Sequence, residues 1–292
     1  MSLIVLLAGP TASGKTQLAL SLAQRYNCEI LSCDASLFYR GMDIGTAKPT
    51  PLERTQVPHW GIDITEPDSY FSIKNFIQYA QQCVKDITSR NKNVLVVGGS
   101  GFYLKSFLSP MIDNLGPDFS IRQQIADLEQ QKGIEGCLKQ LQVLNPDLPP
   151  SFDIKNPRLI KKTLERCLSS GLPLDEITSQ FKAQPIPYAH FQKLTLCIQK
   201  PLEVLKWRIR VRTHAMLQMG LIDEVKRLSA AHKLLPGYPA TSAIGYRETL
   251  AFLKNPSSMQ ELEQEIVHNT YALVKKQLTW LRHQIPIDRW IL

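Results

Sequence analysis

The sequence predicts an α/β fold: a parallel sheet covered by helices, interrupted by an all-helical insertion. Three observations carry this. Short, almost purely apolar segments alternate with helix-length amphipathic stretches over the first third of the chain, as strands buried on both faces of a parallel sheet do. The first apolar segment runs into Gly9-Pro-Thr-Ala-Ser-Gly-Lys-Thr16, a glycine-bearing turn opening a helix. Residues 113–189 carry helical patterns and no convincing strand, after which a strand pattern resumes.

Leu3–Ala8 is the first strand, since it is apolar but far short of the ~20 residues that span a membrane. Further strands are expected at 29–32, 59–64 and 93–98, with helices at 15–26, 52–56 and 73–90 and another starting after Gly101. The pattern changes between Pro110 and Pro117. Helices are expected at 118–131, 134–144, 155–169 and 173–181, punctuated by Pro149, Pro150, Pro173, Pro185 and Pro187. A fifth strand at 192–198 precedes helices at 202–219, 221–232, 241–253 and 258–283. The core is therefore expected from 1–112 with 190–292, and the insertion from 113–189.

The 292 residues are 43% hydrophobic and 21% charged, which excludes disordered, collagenous and disulfide-scaffold classes. Lys plus Arg is 34 and Asp plus Glu 26, a net charge of +8. Residues 1–112 hold 10 basic and 8 acidic side chains and the rest 24 and 18, so a surface for a polyanion would lie mostly outside the first four strands. The six cysteines form no C-x-x-C pair and no zinc spacing, and read as reduced thiols of a cytoplasmic protein. No membrane span and no obligate oligomer are expected; a monomer is.

The G-x-x-x-x-G-K-T motif, Gly9, Pro10, Thr11, Ala12, Ser13, Gly14, Lys15 and Thr16, is a phosphate cradle. Backbone N–H groups and the helix dipole face the anion, Lys15 neutralises terminal oxygens, and the Thr16 hydroxyl can ligate Mg²⁺. It implies a diphosphate or triphosphate without specifying ATP or GTP. Strand 93–98 ends in Gly98-Gly99-Ser100-Gly101, with none of the acidic residues that hold Mg²⁺ in ordinary nucleotide hydrolases. A carboxylate instead follows strand 29–32, as Asp34. It sits at the carboxyl end of a strand, where open α/β sheets bind ligands, and could ligate a metal, act as a base or cap a short helix. The irregular, glycine-bearing stretch Tyr39-Arg-Gly-Met-Asp-Ile-Gly-Thr-Ala-Lys-Pro49 beside it reads as a substrate loop.

These segments, with Val97-Gly-Gly-Ser-Gly-Phe-Tyr103, Ile244-Gly-Tyr-Arg-Glu248 and Lys276-Gln-Leu-Thr-Trp-Leu-Arg282, together resemble the tRNA dimethylallyltransferase family over nearly the whole chain. The resemblance implies a P-loop kinase-like fold and a helical insertion gripping the tRNA anticodon stem-loop. It implies transfer of a dimethylallyl group from dimethylallyl diphosphate to N6 of adenosine 37, with Mg²⁺ and release of diphosphate. Asp34 would accept the N6 proton, the loop with Lys15 and Arg212 would hold the leaving diphosphate, and Ser100 would line the channel where the family usually has Thr. Asp34, Ala35, Ser36, Leu37, Lys276, Gln277 and Arg282 would meet the tRNA, as would Arg122, Arg158, Lys161 and Lys162 in the insertion. The flipped base would find aromatic support among Phe38, Tyr39 and Tyr103.

The chain departs from the family in three places. The family's Asp-Ser is Asp34-Ala35-Ser36 here. Its Asn-Asp-Pro-x-Arg is Lys155-Asn156-Pro157-Arg158-Leu159, with leucine at the arginine position. No zinc finger of the eukaryotic relatives follows, so the chain resembles the short bacterial form. The competing readings are a small-molecule kinase, a prenyltransferase acting on free adenine nucleotides, and a non-catalytic RNA-binding protein with a vestigial loop.

Overall fold

Among the described residues six strands, all parallel, build one sheet: β1 (Leu3–Ala8), β2 (Cys28–Ser32), β3 (His59–Trp60), β4 (Asn93–Gly98), β5 (Gln192–Ile198) and β6 (Arg289–Ile291), in the order β3-β2-β4-β1-β5-β6. In β1, Ile4, Leu6 and Ala8 enter one apolar cluster and Val5 and Leu7 the other. Burial on both faces is the reason this strand reads as an unbroken apolar run. The computed structural model describes residues 2–112, 115, 118–232, 234 and 238–292.

Helices α1 (Lys15–Arg25), α2 (Pro51–Gln56), α3 (Ile73–Ser89) and α4 (Gly101–Lys105) belong to the first half. Next come α5 (Phe119–Leu144), α6 (Pro157–Ser170) and α7 (Leu174–Lys182), then α8 (Leu202–Gln218), α9 (Leu221–Ala231), α10 (Pro239–Ser242), α11 (Tyr246–Lys254) and α12 (Met259–Gln284). The chain divides into two compact units, residues 1–109 with 187–292, and residues 110–186. The second unit has its own core of Ile125, Cys137, Leu141, Ile160, Leu164, Cys167 and Ile177. Among the described residues no helix is long and apolar enough to cross a membrane. All six cysteines are buried and free.

Several expectations need correction. The strand expected at 59–64 stops at Trp60, because Gly61 (φ 75°) and Asp63 (φ 57°) turn the chain away. A helix expected from 155 starts at Pro157, where Asn156 caps it by accepting from Leu159 N–H at 3.2 Å. The helix expected over 241–253 is two, broken at Gly245 (φ 94°). By contrast, the two helices expected over 118–131 and 134–144 are present, on either side of a break at Gly133 (φ 66°, ψ −176°). Strand β6 has no counterpart in the sequence reading. Part of the Pro110–Pro117 transition (residues 113, 114, 116 and 117) lies outside the described residues.

Candidate active site

The phosphate loop connects β1 to α1 at the carboxyl edge of the sheet. Ala12 (φ 65°) and Gly14 (φ 95°) supply left-handed backbone, so the loop curls back over the start of α1. Two sequence-distant side chains and one local contact hold it. Thr11 N–H donates to Gln277 Oε1 of α12 at 2.9 Å. Arg208 of α8 donates from Nη1 to the carbonyls of Ala12 and Ser13, both at 3.3 Å. Lys15 Nζ donates to Pro10 O at 2.8 Å.

A cleft of about 1100 Å³ opens here, lined by Thr11–Thr16, Asp34–Leu37, Ser100, Arg212 and the inner face of α12. It is slightly larger than the ~300–1,000 Å³ range of small-ligand pockets. Gly9 and Pro10 sit behind the loop rather than on the cleft wall.

The charges meet in this cleft. Desolvation lowers the Lys15 ammonium from an ordinary 10.5 to about 8, the Asp34 carboxylate opposing that fall and the Arg212 guanidinium adding to it. Burial likewise lowers Arg212, with Asp34 opposing. Two cations are thus held close together, kept charged in part by one carboxylate, as a polyanion site requires. At the end of β5, burial pushes the Cys197 thiol up to about 11, with Lys15 and Arg282 opposing.

Asp34 caps the 3-10 turn Ala35–Phe38: its Oδ1 accepts from Ser36 N–H at 3.1 Å and Ser36 Oγ–H at 2.7 Å. The cap uses Oδ1 alone, and Oδ2 takes no hydrogen bond from the described residues. The displaced serine, Ser36, thus steadies Asp34. Ser100 opens α4 without capping it through its side chain, which leaves its hydroxyl to the cleft. The hydroxyl of Thr16 also lines the cleft without a partner among the described residues. Among those residues no cluster of three or more His, Cys, Asp or Glu could hold a metal by itself. The Thr16 hydroxyl is a hard oxygen donor of the kind Mg²⁺ takes.

The expected aromatic support is corrected. Phe38 is fully buried, with Phe76 stacked at 5.4 Å and Tyr103 edge-on at 5.6 Å, so it belongs to the core. Tyr39 is 2% exposed. Tyr39 still lines the cleft, but the more open aromatic surfaces there are Phe102, 44% exposed, and Trp280, their rings 6.5 Å apart. On α12, Lys276 and Gln277 line the cleft while Arg282 is exposed and outside it. In the second unit Arg158 and Lys162 are exposed on one face of α6. Lys161 instead pairs with Glu129 at 2.8 Å, and Arg122 with Glu165 at 2.6 Å.

Sequence reasoning missed Arg208 and Glu224. The buried Glu224 carboxylate gathers the N–H groups of Asp43, Ile44 and Gly45 at 2.8–3.2 Å. Lys48 anchors the other end of the 39–49 stretch through Tyr39 O at 2.9 Å and Asp43 and Asp63 at 2.6 Å. The loop is therefore ordered from inside.

Fold and cleft define a class: a P-loop α/β protein whose phosphate loop shares a cleft with a carboxylate that follows β2, the next strand but one in the sheet. Comparisons narrow this. The model of the IPP transferase family matches residues 37–284. A tRNA dimethylallyltransferase of Opitutus terrae is 44% identical over 284 residues, covering 97% of this chain and 91% of that protein. Another from Geobacter metallireducens is 36% identical, covering 97% and 91%. The full-length tRNA isopentenylpyrophosphate transferase of Bacillus halodurans superposes with a TM-score of 0.68 at 30% identity, covering 100% of this chain and 90% of that one. A eukaryotic dimethylallyltransferase acting on tRNA shares the fold, with a TM-score of 0.83 at 24% identity over 96% and 70%. The chain belongs to the IPP transferase family.

Proposed function

We propose that this chain transfers the dimethylallyl group of dimethylallyl diphosphate to N6 of adenosine 37 in tRNA. The observation that carries this reading is the meeting of Lys15, Arg212 and Asp34 in one cleft. In the reaction, the N6 lone pair attacks C1 of the donor. The C1–O bond breaks, its electron pair leaves with the diphosphate, and an N6 proton passes to Asp34. Charge grows on the leaving oxygens, so Lys15, Arg212 and the loop amides bind the transition state more tightly than the ground state. The amine is a weak nucleophile because its lone pair is delocalised into the ring, and Asp34 Oδ2 strengthens it by accepting the proton. Thr16 would hold an Mg²⁺, which would supply further charge neutralisation to the diphosphate. Ser100, Phe102 and Trp280 line the path the flipped base takes.

The helical unit would bind the anticodon stem-loop through Arg158 and Lys162, whose charges are exposed, and through Arg122 and Lys161 once their carboxylate partners are exchanged for phosphates. Lys276 and Trp280 would meet the tRNA at the cleft. Six free, buried cysteines support a cytoplasmic setting.

The test is transfer of label from radioactive dimethylallyl diphosphate, with Mg²⁺, to an unmodified tRNA carrying A37. Label on that adenosine, abolished when the base is replaced, is expected. ATP consumption with a small acceptor, and no labelled RNA, would overturn the reading. Asp34→Asn should retain tRNA affinity and lose about a hundredfold or more in turnover.

A further inference from the structure

We propose that Glu224 and Tyr246, which touch neither donor nor acceptor, are positioning residues for Arg212, acting through the 43–46 loop. The inference rests on the assignment of Arg212 to the leaving diphosphate.

Glu224 lies in the first turn of α9 and is 3% exposed. Its Oε2 accepts from the N–H groups of Asp43 at 3.1 Å and Ile44 at 2.8 Å. Oε1 accepts from Gly45 N–H at 3.2 Å and from the Tyr246 hydroxyl at 2.5 Å. No cation among the described residues pairs with this carboxylate. A buried carboxylate without a cation survives only when hydrogen bonds replace its water, and here they come from three consecutive amides and one phenol. Tyr246 is itself 2% exposed, and its ring lies so close that a Cβ on Gly45 would meet Cε2 at 2.4 Å.

The next residue shows what the shaped loop delivers. Thr46 closes the turn by donating its hydroxyl to Met42 O at 2.6 Å. Its carbonyl accepts from Arg212 Nη2 at 3.1 Å. That is the one hydrogen bond Arg212 makes to the described residues. The charge that attracts Arg212 is the Asp34 carboxylate, while the Lys15 ammonium repels it. An arginine released from Thr46 is drawn onto that carboxylate, which removes a cation from the leaving group and occupies the base. The Glu224–Tyr246 pair fixes the backbone that prevents this.

The experiment is a double-mutant cycle on the full chain, read by calorimetric titration with inorganic pyrophosphate and Mg²⁺ and by single-turnover transfer to tRNA. Tyr246→Phe removes one hydroxyl and keeps the ring; Glu224→Gln removes one acceptor. With Arg212 present, each is expected to lower pyrophosphate affinity and transfer rate about three- to tenfold, the scale of one ordinary hydrogen bond. kcat/KM for the donor should fall more than that for tRNA. In an Arg212→Lys background the further loss should be under about twofold, because the geometry being held is that of the guanidinium. Equal losses in both backgrounds overturn the proposal and leave the pair a purely structural role. Tyr246→Phe decides the matter if Glu224→Gln does not fold. Wild-type protein that binds no pyrophosphate would refute the donor site itself, a different result from an additive cycle.

Discussion

Replacing Lys15 by Met should stabilise the protein while destroying its use of the donor. The ammonium is desolvated in the cleft, and its pKa falls from 10.5 to about 8. A drop of that size withholds about 3 kcal/mol of folding free energy as long as Lys15 stays charged. Met has a similar reach and no charge to desolvate. It forfeits the 2.8 Å hydrogen bond to Pro10 O, a neutral-acceptor contact of about 1 kcal/mol. The net gain at pH 7 is therefore about 2 kcal/mol, several degrees of Tm for a chain of this size. The pH dependence has a definite sign. Between about pH 8 and 10.5 the unfolded chain keeps the Lys15 proton and the native state has lost it, so the wild type gains stability as pH rises through that window. The variant has no such term. Urea unfolding of both proteins at pH 7 and at pH 9.5 measures the gap, which should narrow at the higher pH. A variant less stable than wild type at pH 7, or a gap that does not change with pH, would refute the reasoning.

The same lysine predicts that kcat/KM for the donor falls about tenfold per pH unit above about pH 8 in the wild type. Lys15→Arg should remove that breakpoint, because a guanidinium stays charged. Gly101→Ala should cost about 1–3 kcal/mol, since a Cβ there would meet Trp280 Cε3 at 2.3 Å; Trp280→Leu should recover thermal stability in that background, and no recovery would exclude this clash as the cause. Charge reversal at Arg158 and Lys162 should weaken tRNA binding across all sequences and flatten its salt dependence, with the diphosphate affinity unchanged; filter binding over a salt series measures it.

What the sequence made legible is what local chemistry decides. The phosphate loop is eight consecutive residues, and four of the strands are apolar runs bounded by turns. Capping signals such as Asn156-Pro157 mark a helix start as clearly in the sequence as in the structure, once the cap is weighed against the periodicity. What stayed hidden depends on pairs far apart in the chain. Glu224 grips the 43–45 amides across 179–181 positions, Gln277 reaches Thr11 across 266, and Arg208 reaches Ala12 across 196. Each side chain is an ordinary polar residue on an amphipathic helix until the fold brings its partner. Arg208 and Arg212 illustrate the limit: they sit one turn apart on α8, read alike and both line the cleft, yet one ties the phosphate loop through the Ala12 and Ser13 carbonyls and the other is held by the Thr46 carbonyl. Strand β6 is three residues long and is set by β5, through Thr195 N–H donating to Asp288 Oδ2 at 2.7 Å and Gln199 N–H to Ile291 O at 2.8 Å. Three residues carry no period to detect.

The missing acid at the end of β4 and the presence of Asp34 have one steric cause. Strands β2 and β4 pair in register, Ser32 opposite Val97, and Cys33 N–H donates to Val97 O at 2.7 Å. The two chains approach so closely beyond that point that a Cβ on residue 98 would meet Cys33 O at 2.2 Å and its carbonyl carbon at 2.7 Å. A carboxylate at position 98, where a nucleotide hydrolase would hold its metal-bound water, therefore does not fit. The same approach carries the end of β2 inward, so that the residue after Cys33 acts on Lys15 and Arg212. One backbone contact thus trades an acid on β4 for an acid on β2. An acid on β4 would serve a terminal phosphate that must be cut. In the proposed reaction the diphosphate leaves whole and the proton to be moved belongs to the incoming amine, so the carboxylate is needed on the nucleophile's side of the cations. Gly98→Ala tests the trade without adding charge. It should push β2 and β4 apart and cost turnover out of proportion to donor affinity; an active variant with unchanged kcat would mean that the close approach is incidental to the placement of Asp34.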